Sequence, residues 1–159
     1  MNRRHFIFAT LTSGVSAALL PGKVLANPGQ MEVFKSPTCG CCSAWVEHMV
    51  RAGFDVAVHD VDQEALWTMK ARAGVTQELR SCHTAFISGY FIEGHVRAAD
   101  VHQLLSERPS ALGLSVPGMP IGSPGMEMGD QRDAYDTFLV LKNGSTEVFY
   151  GHSVIKTTF

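Results

Sequence analysis

The chain has no cluster of lysine and arginine, no uninterrupted apolar run of about 20 residues, no internal repeat and only four cysteines. The first absence excludes nucleic acid as a partner, because binding a phosphate backbone needs clustered basic side chains. The second argues against a stable membrane anchor: the longest candidate, Phe6 to Leu20, is broken by Thr, Ser and Gly and is too short to span a bilayer as a helix. The third removes solenoid and propeller architectures. Four cysteines would make two structural disulfides in an oxidising compartment, which is the plainest account of them. Their crowding, three thiols in four residues, weighs against that account without removing it.

The first 26 residues contain no acidic side chain. Asn2-Arg3-Arg4-His5-Phe6 is a basic start, an apolar stretch follows, and Val24-Leu25-Ala26 ends on a small residue. This is the pattern of a secretory signal peptide cleaved after Ala26. Arg3-Arg4, one further residue and Phe6 also match a twin-arginine export signal, and the two routes stay open. Removing residues 1–26 removes Arg3, Arg4 and Lys23, leaving 10 basic against 15 acidic side chains. The remaining segment, 27–159, is long enough for one compact domain with a core of its own.

Along that segment the hydrophobic period alternates between two and 3.6. Met31 to Lys35 reads as a strand, and Ser36-Pro37-Thr38 turns the chain into a helix predicted from Cys42 to Ala52, closed by Gly53. Phe54 to His59 reads as a second strand and Gln63 to Ala73 as a second helix, closed by Gly74. Thr84–Ile87 and Tyr90–Gly94 are predicted strands about a Ser88-Gly89 turn, and Ala98–Glu107 a third helix stopped at Arg108-Pro109. Leu114 to Gly129, rich in proline, glycine and methionine, is expected to be a loop. Tyr135–Leu141 and Ser145–Tyr150 flank Asn143-Gly144, a strong hairpin signal, expected at a sheet edge. The order βαβα then ββα is that of a thioredoxin-like α/β sandwich, here with an added Gly/Pro/Met-rich loop and a C-terminal β-hairpin.

Three of the four thiols fall within Cys39-Gly40-Cys41-Cys42, between the first strand and the first helix, and Cys82 follows in Ser81-Cys82-His83-Thr84. At a helix N-terminus, unpaired N–H groups and the helix dipole favour thiolate over thiol, which makes a cysteine both nucleophile and ligand. Cys39 and Cys42 stand in Cys-x-x-Cys relation, so disulfide exchange and soft-metal binding compete for one geometry. Cys41 weighs toward metal, because an exchange enzyme gains nothing from a third thiol that can form wrong disulfides. Adjacent side chains diverge, so three thiolates at one turn are better placed to bridge several Cu(I) ions than to wrap one tetrahedral ion, with Cys82 closing the set. Zinc fits less well, since Cys82-His83 is a poor second chelating pair. A copper cluster, a dithiol enzyme using Cys39 and Cys42, and a module held by structural disulfides are the three readings.

The methionines point the same way. Met119, Met126 and Met128 lie among prolines and glycines, and thioethers are soft ligands for Cu(I), although flexible cover for the core is the ordinary use of methionine. Met49 and Met69 lie on predicted helices and are expected in the core. Among the histidines, His83 is the first nitrogen candidate, as ligand or as a donor orienting a thiolate, and His152 the second, from a chain end able to fold back. His48, His59, His95 and His102 are expected on solvated faces or at element ends.

Taken together, Cys-Gly-Cys-Cys after a first strand, a lone Ser-Cys-His-Thr step and Val-Pro-Gly-Met-Pro-Ile-Gly-Ser-Pro-Gly-Met-Glu-Met-Gly make the chain resemble the CopG-type periplasmic copper-resistance proteins over essentially all of residues 27–159. The resemblance implies a thioredoxin-like fold, a periplasmic location and a cysteine-bridged copper cluster. Its motif cysteines fall on Cys39, Cys41, Cys42 and Cys82 and its Met-bearing loop on Met119, Met126 and Met128. It also implies copper tolerance, with interconversion of Cu(I) and Cu(II) and other periplasmic copper-handling proteins as partners. The chain departs from thioredoxins proper in carrying Cys82-His83-Thr84 where their cis-proline would precede the third strand.

Overall fold

A computed structural model describes residues 29–153; the expected signal peptide lies outside them. The elements run β1 (Gln30–Lys35), α1 (Gly40–Arg51), β2 (Asp55–Asp60), α2 (Gln63–Arg72), a 3₁₀ turn (Gln77–Leu79), β3 (His83–Ile87), β4 (Tyr90–Gly94), α3 (Ala98–Glu107), β5 (Ala111–Val116), β6 (Tyr135–Leu141) and β7 (Thr146–His152). This is a mixed α/β protein built on one seven-stranded sheet in the order β2-β1-β3-β4-β5-β6-β7. β1 is parallel to β2 and antiparallel to β3, β3 is antiparallel to β4, and β4 is parallel to β5. β6 and β7 complete the sheet as an antiparallel hairpin at its edge, as the Asn-Gly signal requires. No helix among the described residues is long and apolar enough to cross a membrane.

Side-chain capping fixes the start of one of the three described α-helices, α2. The Asp62 carboxylate accepts from Ala65 N–H at 2.7 Å and caps α2. Alternation along the strands then divides the core between two faces. Met31, Val33, Ala85, Ile87, Ile92 and Leu114 pack with Trp45 and Met49 of α1 and with Val101 and Leu104 of α3. On the opposite face Phe91 and Val140 meet Val75 and Leu79, which follow α2.

One expectation is corrected here. Residues from Leu114 onward are not all loop: Ala111–Val116 is strand β5, bonded to β4 on one side and β6 on the other. Gly113 and Ser115 lower the intrinsic strand preference, and it is pairing to two neighbours that makes this segment a strand. The irregular stretch therefore starts at Pro117.

The face carrying α2 holds a buried ion pair. Lys70 Nζ lies 2.6 Å from Glu93 Oε1 and donates to Thr84 Oγ1 at 2.9 Å; both charged side chains are at most 1% exposed. Thr84 Oγ1 donates to Glu93 Oε2, and the Ser81 N–H donates to Glu93 Oε1, each at 2.6 Å. Burial alone pushes the Lys70 pKa down and the Glu93 pKa up, and each partner opposes the shift of the other. Removing one charge strands the other in the core. Lys70→Met is expected to cost about 3–5 kcal/mol, with Lys70→Met/Glu93→Leu recovering most of the loss in urea unfolding. Equal loss in the single and double variants would show that the pair contributes only packing.

Candidate metal centre

The pairing registers bring four chain segments to one end of the sheet. Lys35 pairs with His83, so the start of β3 lies beside the end of β1, from which Ser36 to Cys39 lead into α1. β3 and β4 pair about the Ser88-Gly89 turn, Ile87 with Tyr90 and Thr84 with Glu93. Continued by two residues, that register sets Cys82 opposite His95. β5 ends in the same place, because Gly94 pairs with Val116, and the Pro117–Gly129 segment leaves from there across α1.

Cys39 is the N-cap residue of α1, extended in backbone (φ −80°, ψ 96°) and with no side-chain cap. Cys39 and Cys42 are joined by a disulfide, with Cα atoms 5.3 Å apart. Cys41 and Cys82 are free thiols. Cys41 Sγ is 3.5 Å from Cys39 Sγ and 3.9 Å from Cys82 Sγ, and all four sulfurs lie within 4.8 Å of one another. The four cysteines predicted as a set are therefore one set in space.

Cys82 is also the pivot of a second group. Its sulfur lies 3.1 Å from His95 Nε2 and 3.4 Å from His83 Nδ1, and these three donor atoms again fall within 4.8 Å of one another. His95, expected on a solvated face or at an element end, directly follows the end of β4, but that end is buried: His95 is 0% exposed and faces Cys82. His95 Nδ1 donates to the Pro124 carbonyl at 2.8 Å, which puts the ring proton on Nδ1 and leaves the Nε2 lone pair toward the sulfur. His83 is held by packing: its ring lies 4.4 Å from that of Trp45, and its buried Nε2 has no hydrogen-bond partner. The signal for His95 was the hairpin. A two-residue turn at Ser88-Gly89 pairs 87 with 90, and counting back along both strands reaches 82 and 95.

Burial sets the protonation of this centre. It pushes the Cys82 thiol up to about 12, with the neighbouring Cys41 adding to the shift. It also lowers the pKa of His83 well below the usual imidazole value, assisted by His95 and Lys70, and lowers that of His95. The resting centre thus contains a protonated thiol and two neutral imidazoles, with Cys82 S–H hydrogen-bonded to His95 Nε2. A soft cation entering here displaces the thiol proton and finds imidazole lone pairs already available. Thiolates and imidazoles are the donor classes that suit Cu(I), and both are present.

The remaining predicted donors are distributed around this core. The methionine segment is tied down where it begins, since Gly118 N–H donates to the Arg80 carbonyl at 3.0 Å and Ser81 Oγ donates to the Gly118 carbonyl. Met119 and Met128 are 51% and 60% exposed and Met126 is half-buried, so Met119 and Met128 do not serve as cover for the core. Met49 is buried in the core and Met69 is half-buried. His152 is engaged elsewhere: its Nε2 lies 2.9 Å from Thr137 Oγ1 and 3.3 Å from buried Asp100 Oδ2, and its ring stacks on Tyr135. It is not among the donors gathered around Cys82. His48 is half-buried and accepts from Ala98 N–H, while His59 and His102 are exposed.

Solved structures of a known protein share this architecture. Copper resistance protein CopG, in a structure described as form 1, is 42% identical to this chain with a TM-score of 0.72, covering 77% of this chain and 96% of that one. Form 2 is 41% identical with a TM-score of 0.73, covering 78% and 98%. The chain belongs to the CopG family of copper resistance proteins. A family model described as a protein of unknown function, DUF411, matches residues 79–126. No curated protein matches. The DUF411 segment runs from the 3₁₀ turn through Cys82, His83 and His95 to Met126, so this CopG relative carries within it every part of the centre except the α1 cysteines.

That segment closes over α1 at Gly125. Its φ is +83°, and a Cβ there would lie 2.6 Å from the Cys41 carbonyl oxygen and 2.8 Å from Trp45 N. Gly125→Ala is expected to cost more than about 1 kcal/mol in thermal or urea unfolding and to raise the accessibility of the Cys41 and Cys82 thiols to a disulfide reagent. Unaltered thiol accessibility would mean that the segment does not cover the centre.

Proposed function

We propose that this protein is an exported, periplasmic copper-binding protein of copper resistance that holds several Cu(I) ions on Cys39, Cys41, Cys42 and Cys82. The observation that carries this reading is the convergence of four sulfurs within 4.8 Å of one another, from a helix N-terminus and a separate strand start, in a chain 41–42% identical to CopG. His83 and His95 supply nitrogen beside Cys82. Negative thiolates offset the charge of bound copper and bridge neighbouring ions, which a buried centre needs in order to hold more than one cation. Export with cleavage after Ala26 would bring the protein to a compartment where thiols survive best when metal-bound.

In this reading Met119, Met126 and Met128 receive or release copper. Thioethers bind Cu(I) without a proton to displace, so exposed methionines suit transfer while buried thiolates suit retention. The same soft centre serves storage and interconversion of Cu(I) and Cu(II). A second reading, thiol–disulfide exchange by Cys39 and Cys42, draws support from the bond between them. Cys41, 3.5 Å from Cys39 Sγ, works against it by offering an internal thiol that resolves any mixed disulfide before a substrate does.

Cys82→Ser is expected to lower the number of coppers bound per reduced chain with the far-ultraviolet circular dichroism unchanged; an unaltered copper count would remove Cys82 from the centre. Replacing Met119, Met126 and Met128 together by Leu is expected to slow copper exchange with a Cu(I) chelator while costing less than about 1.5 kcal/mol of stability. An exchange rate equal to that of the wild type would exclude the methionines from transfer.

A further inference from the structure

Cys41 Sγ touches both the disulfide, 3.5 Å from Cys39 Sγ, and the second donor group, 3.9 Å from Cys82 Sγ. Joining Cys39 to Cys42 removes two of the four thiolates, and disulfide sulfur is a poor ligand compared with thiolate. What remains is contiguous: Cys41 Sγ at 3.9 Å from Cys82 Sγ, His95 Nε2 at 3.1 Å and His83 Nδ1 at 3.4 Å from the same Cys82 sulfur. Cys82, His95 and His83 do not depend on Cys39 or Cys42 for their positions. Cys82 is placed by the β3–β4 register and by the Ser81 N–H bond to Glu93. His95 is fixed by Pro124 and His83 by packing on Trp45. Cys41 is held within the first turn of α1.

We propose, on the basis of the copper reading above, that closing the Cys39–Cys42 disulfide converts the centre from a multi-copper thiolate cluster into a one-copper site of mixed donors: Cys82 Sγ, His83 Nδ1 and His95 Nε2, with Cys41 Sγ 3.9 Å from the Cys82 sulfur. Two thiolates neutralise at most two Cu(I), but only one compact mixed-donor group remains, around Cys82, and with one sulfur pair left there is no ring of bridging thiolates on which to build a cluster. Closing the bond removes two electrons from the Cys39 and Cys42 sulfurs, which a small-molecule disulfide accepts as it becomes two thiols; the two protons it takes up come from the thiols themselves in the metal-free protein and from solvent in the copper-loaded one, where the Cu(I) held by the pair is released. Copper capacity then follows the thiol redox state of one pair while the fold stays as it is. The oxidised protein gives up part of its copper and retains an ion among nitrogen and sulfur donors.

The test counts copper in three metal-free preparations loaded with Cu(I) against a chromogenic Cu(I) chelator. These are the wild type fully reduced, the wild type oxidised with excess oxidised glutathione and shown by peptide mapping to carry the Cys39–Cys42 bond, and Cys39→Ser/Cys42→Ser. The last cannot close the bond and keeps the remaining donors whatever the redox state. Several coppers in the first and one in each of the others are expected. Adding His95→Ala to Cys39→Ser/Cys42→Ser is expected to weaken retention of that copper at least tenfold. No copper, or an undiminished count, in both the oxidised wild type and the double variant overturns the proposal while leaving the cluster reading in place. Retention unchanged by His95→Ala overturns the mixed-donor assignment. A reduced wild type that takes no more than one copper overturns the cluster reading itself, and the conversion with it.

Discussion

The antiparallel pairing of β3 with β1 on one side and β4 on the other determines which side chains can meet at this end of the sheet. It sets His83 against Lys35, and so places the start of β3 beside the turn that leads into α1. It also sets Thr84 against Glu93, and so carries Cys82 and His95 past the last bonded pair to face each other. A slip of one residue in either ladder would turn every side chain of β3 to the other face. Cys82 would then leave Cys41, and Ala85 and Ile87 would leave the core. The apolar packing that holds the register and the chemistry at its end are therefore not separable. Glu93 reinforces the arrangement, because the same carboxylate that neutralises Lys70 also accepts from Ser81 N–H, one residue before Cys82.

Burial gives this centre its character. Cys82 in a solvated loop would titrate near its ordinary value; here desolvation and the adjacent Cys41 keep it a thiol. His83 and His95 are kept neutral by the same desolvation, with the Lys70 charge adding to the effect at His83. A centre of neutral imidazoles and a protonated Cys82 thiol is a poor place for a free charge and a good one for a cation that exchanges for a proton, because the thiolate forms only as its counter-ion arrives. The ordinary argument that a helix N-terminus activates a thiol applies to Cys39 and Cys42, which are bonded to each other in this state, and does not extend to Cys82.

The elements legible in the sequence were those whose pattern is local. Met31 to Lys35 alternates and is a strand; the Gly53 and Gly74 stops each fall two residues beyond the ends of α1 and α2; Ala98–Glu107 is a helix over the residues expected; Asn143-Gly144 does turn a hairpin. The cysteine set was legible for a different reason, since three thiols in four residues are conspicuous in a chain with four. What escaped was non-local. β5 carries Gly113 and Ser115 and is a strand by virtue of its neighbours. His95 follows a strand end, in a position that by propensity alone belongs to solvent, and is buried where Pro124, 29 residues further along the chain, closes over it. His152 does return to the body of the protein, but to Asp100 and Thr137.

The Pro117–Gly129 segment joins both kinds of information. Its composition marked it as unusual, and its proline and glycine content explains why it can follow the surface of α1 without a helix or strand of its own. Its place in the structure assigns the parts different work. Pro124 and Gly125 face inward, one orienting the His95 ring and the other approaching the Cys41 carbonyl. Met119 and Met128 face solvent, where a thioether has no packing role to perform. An inward edge that fixes a ligand and an outward edge that presents soft sulfur is the division of labour expected if copper crosses this segment between solvent and the thiolates. That division follows from a single close approach at residue 125, where any side chain larger than hydrogen would lift the segment from α1 and take the support of His95 with it.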